Sequence, residues 1–381
     1  MSQKNVYIIS LKFAPGLYKE FHLIGDKLEE KGFSVSYILS EGYREATSSE
    51  PVVVDFLSTS RNMKEVLFDC IWFFLKGSRL FKKKLKYKRP QGIYFYNMHP
   101  LNIMLARLTR IYFPNTILLF HLHEPFQPDK SFFSLSQRII IQAQEYLQAK
   151  LVNLCDHIVV PSSFAKHLFH KYFPRYNGQV HFVPLCIPDK PVKSSSRSYL
   201  LMSGRIFSDG RMKDFLHLVE YAASVGVDFR FRIVTSSFTG NFLQGKLSTR
   251  AKSLVDIIEK RPLSDEEING YMANAFACIC MHTRGAQSGV TPVAFMNSTP
   301  IVARNIPMFS QYIKDGVNGR LIVPTAKPSE WLFAIQYVKE NFKEMNREAR
   351  KTYVSIFHEK NLEKYLEWFF EEIARAHENK P

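Results

Sequence analysis

The two longest stretches of this chain without a carboxylate say more by their positions than the formal net charge of +16. From Cys70 through His123 there is neither Asp nor Glu, while Lys76, Arg79, Lys82, Lys83, Lys84, Lys86, Lys88, Arg89, Arg107 and Arg110 all fall there. A second gap runs from Ile268 through Lys314. Cysteine is scarce and odd in number: Cys70, Cys155, Cys186, Cys278 and Cys280, mostly inside apolar runs. That excludes a disulfide framework and reads as buried thiols of a reducing compartment. Cys278-Ile279-Cys280 is spaced too closely for a zinc knuckle, so no metal site is expected. No apolar run reaches the length of a bilayer span, since 65–75 is broken by Asp69 and followed by lysines. The polar start, Met1–Asn5, leads straight into a strand pattern, so no signal peptide is expected. There is no G-x-G-x-x-G, which leaves a nicotinamide or flavin fold without support.

What the chain does hold is length for two domains, at 381 residues, and apolar content for their cores, at 46%. Short β-branched or aromatic runs alternate with longer amphipathic ones, the α/β pattern of parallel sheets. Expected strands in the first half are Val6–Ser10, Ser34–Leu39, Val52–Phe56, Gly92–Tyr96, Ile117–His123, His157–Pro161 and Val180–Pro184. Helical patterns cover Tyr18–Lys31, Met63–Leu85, Leu101–Phe113, Ser134–Asn153 and Ser163–Tyr172. A turn-rich, hydrophilic stretch, Ile187–Arg197, reads as a linker. The alternation restarts at Tyr199 and ends near Pro324, with helices expected at Ser329–Asn341 and Asn361–His377. The expected division is 1–188 and 189–360, followed by a final helix at 361–381.

The second half carries an ordered series of phosphate-site signals. The apolar run Tyr199–Ser203 ends in Gly204-Arg205, and Lys213 heads a helical pattern shortly after, with Arg211 as its rival. The run Phe276–Met281 breaks at Gly285-Ala286-Gln287-Ser288-Gly289, and the helical segment Val290–Asn297 follows. A strand, a small-residue loop and a helix start turn backbone N–H groups toward an anion. Arg205 and Lys213 supply the countercharge a pyrophosphate needs. The residues set toward that anion are Arg205, Lys213, Gln287, Ser288, Gly289, Val290 and Thr291, Thr291 adding a hydroxyl. An ordinary turn and N-cap is the plain alternative for this loop.

In the first half, His123-Glu124-Pro125 follows a strand, where a His and a carboxylate orient a sugar hydroxyl or accept a proton. His121 lies on the same face one step deeper, and His99 is a weaker candidate at another strand end. Gly16, in the loop after the first strand, permits close backbone approach to the donor, a plain strand-to-helix turn being the alternative. The stretch Met63–Arg89 passes from apolar to basic, and Lys82, Lys83, Lys84, Lys86, Lys88 and Arg89 form a face suited to an anionic membrane surface. No RNA- or DNA-binding motif accompanies that charge, so nucleic acid is not an expected partner.

These residues resemble the GT-B glycosyltransferases, most closely family 4, over nearly the whole chain. Gly204-Arg205 with Lys213 is similar to the family's basic donor element, and 151–164 and Phe182–Leu185 to its segments before the linker. Thr299–Ala303 and Asp315–Gly319 are similar to the stretches after its donor loop. The resemblance implies two Rossmann-like, doubly wound domains facing a cleft, with the final helix crossing back to the first. It implies that His123 contacts the donor sugar and that Gly16 belongs to the family's first-domain glycine loop. One departure stands out. The family's two donor-loop glutamates are missing: Gly285 or Ala286 takes the place of the first, next to Arg284, and Val293 or Ala294 that of the second. A negatively charged donor sugar facing Arg284 is one consequence to expect.

The leading expectation is a hexosyltransferase, retaining by resemblance and metal-independent, with no cofactor. It moves a sugar from a nucleotide diphosphate donor to a lipid-linked or polysaccharide acceptor in surface glycan biosynthesis. The site expected is cytoplasmic, peripheral on the inner face of the membrane. His123 and Glu124 are the catalytic candidates, Glu124 being the base if the reaction inverts. The rivals are a nucleotide-sugar epimerase and a non-catalytic partner that kept the fold and lost the donor site.

Overall fold

A computed structural model describes residues 4–12, 14–44, 54–57, 71, 73–124, 126, 130, 133–194, 196–204, 211–236, 246–260 and 263–378. The chain divides into two compact units, Met1–Pro184 with Leu362–Pro381, and Leu185–Asn361. The first boundary thus falls a few residues before the expected 188.

The first unit is built on seven parallel strands: β1 (Asn5–Ser10), β2 (Ser34–Ser40), β3 (Val54–Leu57), β4 (Pro90–Phe95), β5 (Ile117–His121), β6 (His157–Val160) and β7 (Gln179–Phe182). Their order across the sheet is β3-β2-β1-β4-β5-β6-β7, so the winding reverses between β1 and β4. Every residue of β1, β4 and β5 is buried. Strands covered on both faces by helices demand such continuous apolar runs. The helices are α1 (Pro15–Glu30), α2 (Ser78–Tyr87), α3 (Pro100–Tyr112), α4 (Leu135–Val152) and α5 (Ser163–Tyr172). A long helix was expected over Met63–Leu85. Its first part lies outside the described residues, and the rest is a wide turn, Phe73–Gly77, leading into α2.

The second unit has six parallel strands: β8 (Tyr199–Ser203), β9 (Arg230–Thr235), β10 (Val255–Glu259), β11 (Ala275–Cys280), β12 (Ile301–Arg304) and β13 (Gly319–Ile322). Their order, β10-β9-β8-β11-β12-β13, repeats the first sheet's pattern and reverses between β8 and β11. Its helices are α6 (Arg211–Val225), α7 (Thr249–Lys252), α8 (Asp265–Ala273), α9 (Val290–Met296), α10 (Pro307–Ser310), α11 (Pro328–Glu340) and α12 (Phe342–Thr352). Phe215, Phe231, Phe276, Trp331 and Ile335 are among its buried core side chains. Each full burial of that kind contributes about 1.5–3 kcal/mol.

The expected linker Ile187–Arg197 is not a free tether. Ile187 N–H donates to the Phe357 carbonyl at 2.8 Å, and Val192 N–H to Asn297 Oδ1 at 3.1 Å. Arg350 grips Asp189 with two bonds of 2.7 and 2.6 Å. Arg197 donates to the carbonyls of Ala275 and Asn297 and to Thr299 Oγ1. Its burial pushes the guanidinium down to about 10. Hydrophilic composition suggested solvent; these polar groups instead serve the second unit's own backbone. The last helix, α13 (Lys360–Glu378), packs on the first sheet. Trp368 stacks on His181 with ring centres 3.3 Å apart, and Phe369 and Ile373 lie against Gly92.

Candidate functional site

In doubly wound sheets ligands bind outside the carboxyl ends of the strands where the order reverses. In the second unit that point lies between β8 and β11, the two strands that carry the sequence signals. Gly204 follows β8 at φ +108°, a conformation that glycine adopts without strain. A Cβ built there would lie 3.8 Å from the Val290 side chain, so the ends of the two loops adjoin. Arg205 lies outside the described residues. Lys213 stands exposed in the first turn of α6. The neighbouring Asp214 is engaged by Arg304, which also donates to the Met281 and Pro324 carbonyls, so that carboxylate does not neutralise Lys213.

The loop between β11 and α9 is held at one sharp point. Gly285 sits at φ +139°, and a Cβ there would meet Met308 Sδ at 2.7 Å. Downstream, Ser288 and Thr291 are buried, yet neither hydroxyl has a hydrogen-bond partner among the described residues, and neither has Gln287 Nε2. Buried polar groups are nearly always paired, so these three clustered exceptions make the loop the candidate ligand contact. Arg284 is half-buried in the same loop. Gly289 caps α9 at φ −67°, an ordinary helical value, and α9 has only seven residues, so a helix dipole contributes less than the hydroxyls. Among the described residues no group of three His, Cys, Asp or Glu is placed to hold a metal ion.

The first unit's reversal point is titratable and buried. β5 stops at His121, so His123 stands beyond the strand, half-buried. Its Nε2 lies 2.9 Å from the Tyr96 carbonyl oxygen, a bond in which the ring must donate. The His121 ring stacks on it with centres 4.0 Å apart, and His121 Nδ1 meets the Tyr94 hydroxyl at 3.1 Å. Burial, then His123, hold His121 well below the usual histidine range. Glu124 is exposed, and its carbonyl accepts from Gln148. Gly16 opens α1, in its first turn.

Sequence reasoning missed Glu20. Its carboxyl is buried, and desolvation pushes it up to about 7 against the steadying Tyr96 hydroxyl; neither oxygen attains hydrogen-bond geometry with another residue. A signal existed: Glu20 shares the i, i+4, i+8 stripe of α1 with Ile24 and Leu28, both fully buried.

The expected basic face is partly cancelled in space. Arg110 pairs with Asp156 at 2.6 Å and donates to the Leu154 and Thr116 carbonyls. Lys82 Nζ sits 3.7 Å above the Tyr112 ring. Lys83, Lys86 and Arg89 are exposed and Lys88 half-exposed, while the Lys84 side chain lies outside what is described. Among the described residues no helix is long and apolar enough to cross a membrane. The four described cysteines are buried and none is in a disulfide.

The model of Glycosyltransferase Family 4 matches residues 21–190. Sucrose-phosphate synthase from Thermosynechococcus elongatus superposes with a TM-score of 0.73 at 14% identity, over 98% of this chain and 100% of that one. The fold is GT-B, and residues 21–190 are similar to family 4. A glycosyltransferase from Rickettsia africae gives a TM-score of 0.72 at 16% identity, covering 100% of both chains. Anabaena HepE, solved with UDP, gives 0.72 at 14% identity over 96% of this chain and 99% of that one. No curated protein sequence matches. In this GT-B chain, the two phosphate-site signals of the sequence flank one reversal point.

Proposed function

We propose that this protein is a glycosyltransferase that takes a sugar from a nucleotide diphosphate donor held by its second unit. The observation that carries the reading is the meeting of Gly204 and Val290 at the β8/β11 reversal, beside a cluster of unpartnered buried Ser288, Thr291 and Gln287 atoms. Those donors suit phosphate and hydroxyl oxygens, and Lys213, with Arg205, supplies the charge that stabilises a departing diphosphate. The reading assigns that countercharge to the protein, so it needs neither metal nor cofactor. The fold's likeness to HepE, solved with UDP and with UDP-glucose, supports a uridine nucleotide as the first donor to test. His123 is assigned to the sugar by the resemblance, with its ring already oriented by the Tyr96 carbonyl.

On this reading the first unit holds the acceptor, a lipid-linked or polysaccharide glycan, and docks on the cytoplasmic face of an anionic membrane. Exposed Lys83, Lys86 and Arg89 around the exposed ring of Tyr87 support the membrane part. The absence of Asp and Glu from Ile268 through Lys314 favours a second reading, in which the donor site is degenerate and the protein is a non-catalytic partner. Release of sugar from UDP-glucose or UDP-glucuronic acid, followed with wild-type protein and Lys213→Ala, separates them. Turnover lost in the variant supports a transferase; no turnover of any nucleotide sugar and no nucleotide binding support the partner.

A further inference from the structure

The first sheet's own reversal point contains a cation and a ring N–H that the reading above leaves unused. Asn97 clamps the loop after β1 to the loop after β4. Its Oδ1 accepts from Lys12 N–H at 3.2 Å, and its Nδ2 donates to the Lys12 carbonyl and to Ser10 Oγ, both at 2.8 Å. Asn102, in the first turn of α3, donates from Nδ2 to the Asn97 carbonyl at 2.7 Å and so fixes the clamp to the helix. The clamp holds the Lys12 backbone beside the loop that leads into His99.

His99 is the N-cap of α3. Its Nδ1 accepts from Leu101 N–H at 3.2 Å, so Nδ1 carries the lone pair and the neutral ring holds its proton on Nε2. His99 is 5% exposed, and Nε2 has no hydrogen-bond partner among the described residues. Burial first, then Lys12, push the ring down to about 4, so it stays a neutral donor at physiological pH. Lys12 is exposed and makes no ion pair among the described residues. The backbone of α3 offers little beyond its dipole. Pro100 has no N–H, Leu101 is taken by the cap, and Asn102 N–H bonds the His99 carbonyl at 3.0 Å. The donors available to a ligand are therefore side chains, one cationic and one neutral, with the positive end of a 13-residue helix beside them.

We propose that Lys12 and the His99 Nε2–H form a phosphate subsite of the first unit, which takes a phosphate group carried by the acceptor. A donor-only pair rejects cations and gains most from a dianionic oxygen acceptor. The inference rests on the reading of the first unit as the acceptor-holding one. A phosphate of this kind comes either from a lipid headgroup or from a soluble phosphorylated glycan, and both present the same oxygens.

The test uses the full chain with two probes, inorganic phosphate and dihexanoyl phosphatidic acid, followed by calorimetry and by the nitrogen chemical shift of His99 Nε2. Two variants isolate the donors. Lys12→Met changes an exposed side chain, and His99→Asn keeps a capping oxygen while removing the Nε2–H. We expect at least one probe to bind, with affinity falling tenfold or more in each variant and with UDP binding unchanged. Tighter binding of the lipid probe assigns the phosphate to a headgroup; equal binding of both assigns it to the phosphate alone. Phosphate binding indifferent to both variants, or no binding of either probe by protein that binds UDP, overturns the subsite. Failure of wild-type protein to bind any nucleoside diphosphate would instead remove the reading on which it rests.

Discussion

At the reversal point of the second sheet the side chains are small, hydroxylic or amide, whereas at that of the first they are buried and titratable. The strand orders are alike, yet Ser288, Thr291 and Gln287 occupy one loop region and Glu20, Tyr94, Tyr96, His99 and His121 crowd around the other. Hydroxyls and amides keep their hydrogen-bonding capacity across the physiological pH range. Buried carboxyls and imidazoles carry a desolvation cost that changes with pH. On the proposed reading the difference separates two properties, assigning nucleotide affinity to the second unit and pH response to the first.

The largest expected effect concerns Glu20. Its folded pKa of about 7 stands above the ordinary 4.5, so its contribution to stability is complete below pH 4.5 and is lost as pH rises through 7. Between pH 5 and 8 the first unit should lose about 2–3 kcal/mol from this group. Glu20→Gln should flatten that slope and raise the urea midpoint at pH 8 but not at pH 4.5. An unchanged slope would move the pH response elsewhere and erase the contrast between the units. Gly285→Ala comes next. Its positive φ and the 2.7 Å approach of Met308 Sδ should destabilise the second unit by about 2 kcal/mol. The variant should lower the thermal midpoint and weaken nucleotide binding while leaving the pH slope alone.

How much of this was legible depends on the kind of signal. Parallel strands betray themselves as apolar runs, so β1, β4, β5, β8 and β11 and their order of appearance could be read from the chain. Glycines at φ above zero after β8 and β11 marked the loops. What escaped notice was tertiary. Nothing local says that Asp156 will answer Arg110, that Arg197 will be buried among carbonyls, or that Asn97 will bridge two loops. The strand at 117 was extended two residues too far because Leu122 and His123 continue its alternation. Glu20 was passed over because a charged residue in a helix is ordinarily assigned to the solvent face.

A smaller effect tests the membrane surface. Lys83→Glu with Lys86→Glu should weaken binding to vesicles containing phosphatidylserine by at least fivefold per lysine, since each contributes about 1 kcal/mol near such a surface. The loss should shrink in high salt. Binding that persists unchanged would detach the basic face from the first unit's role. His123→Ala, smallest in its effect on affinity, should lower sugar transfer while leaving UDP binding within about twofold, because the diphosphate belongs to the other unit.

The central claim is that the β8/β11 reversal holds a nucleoside diphosphate through Lys213 and its loop neighbours. A calorimetric titration of wild-type protein and Lys213→Ala with uridine, guanosine, thymidine and cytidine diphosphates tests it most directly. The account expects one nucleotide to bind and to lose tenfold or more in affinity in the variant, about 1.4 kcal/mol for a charged contact. Binding of none, or binding of one with equal strength by both proteins, would contradict it.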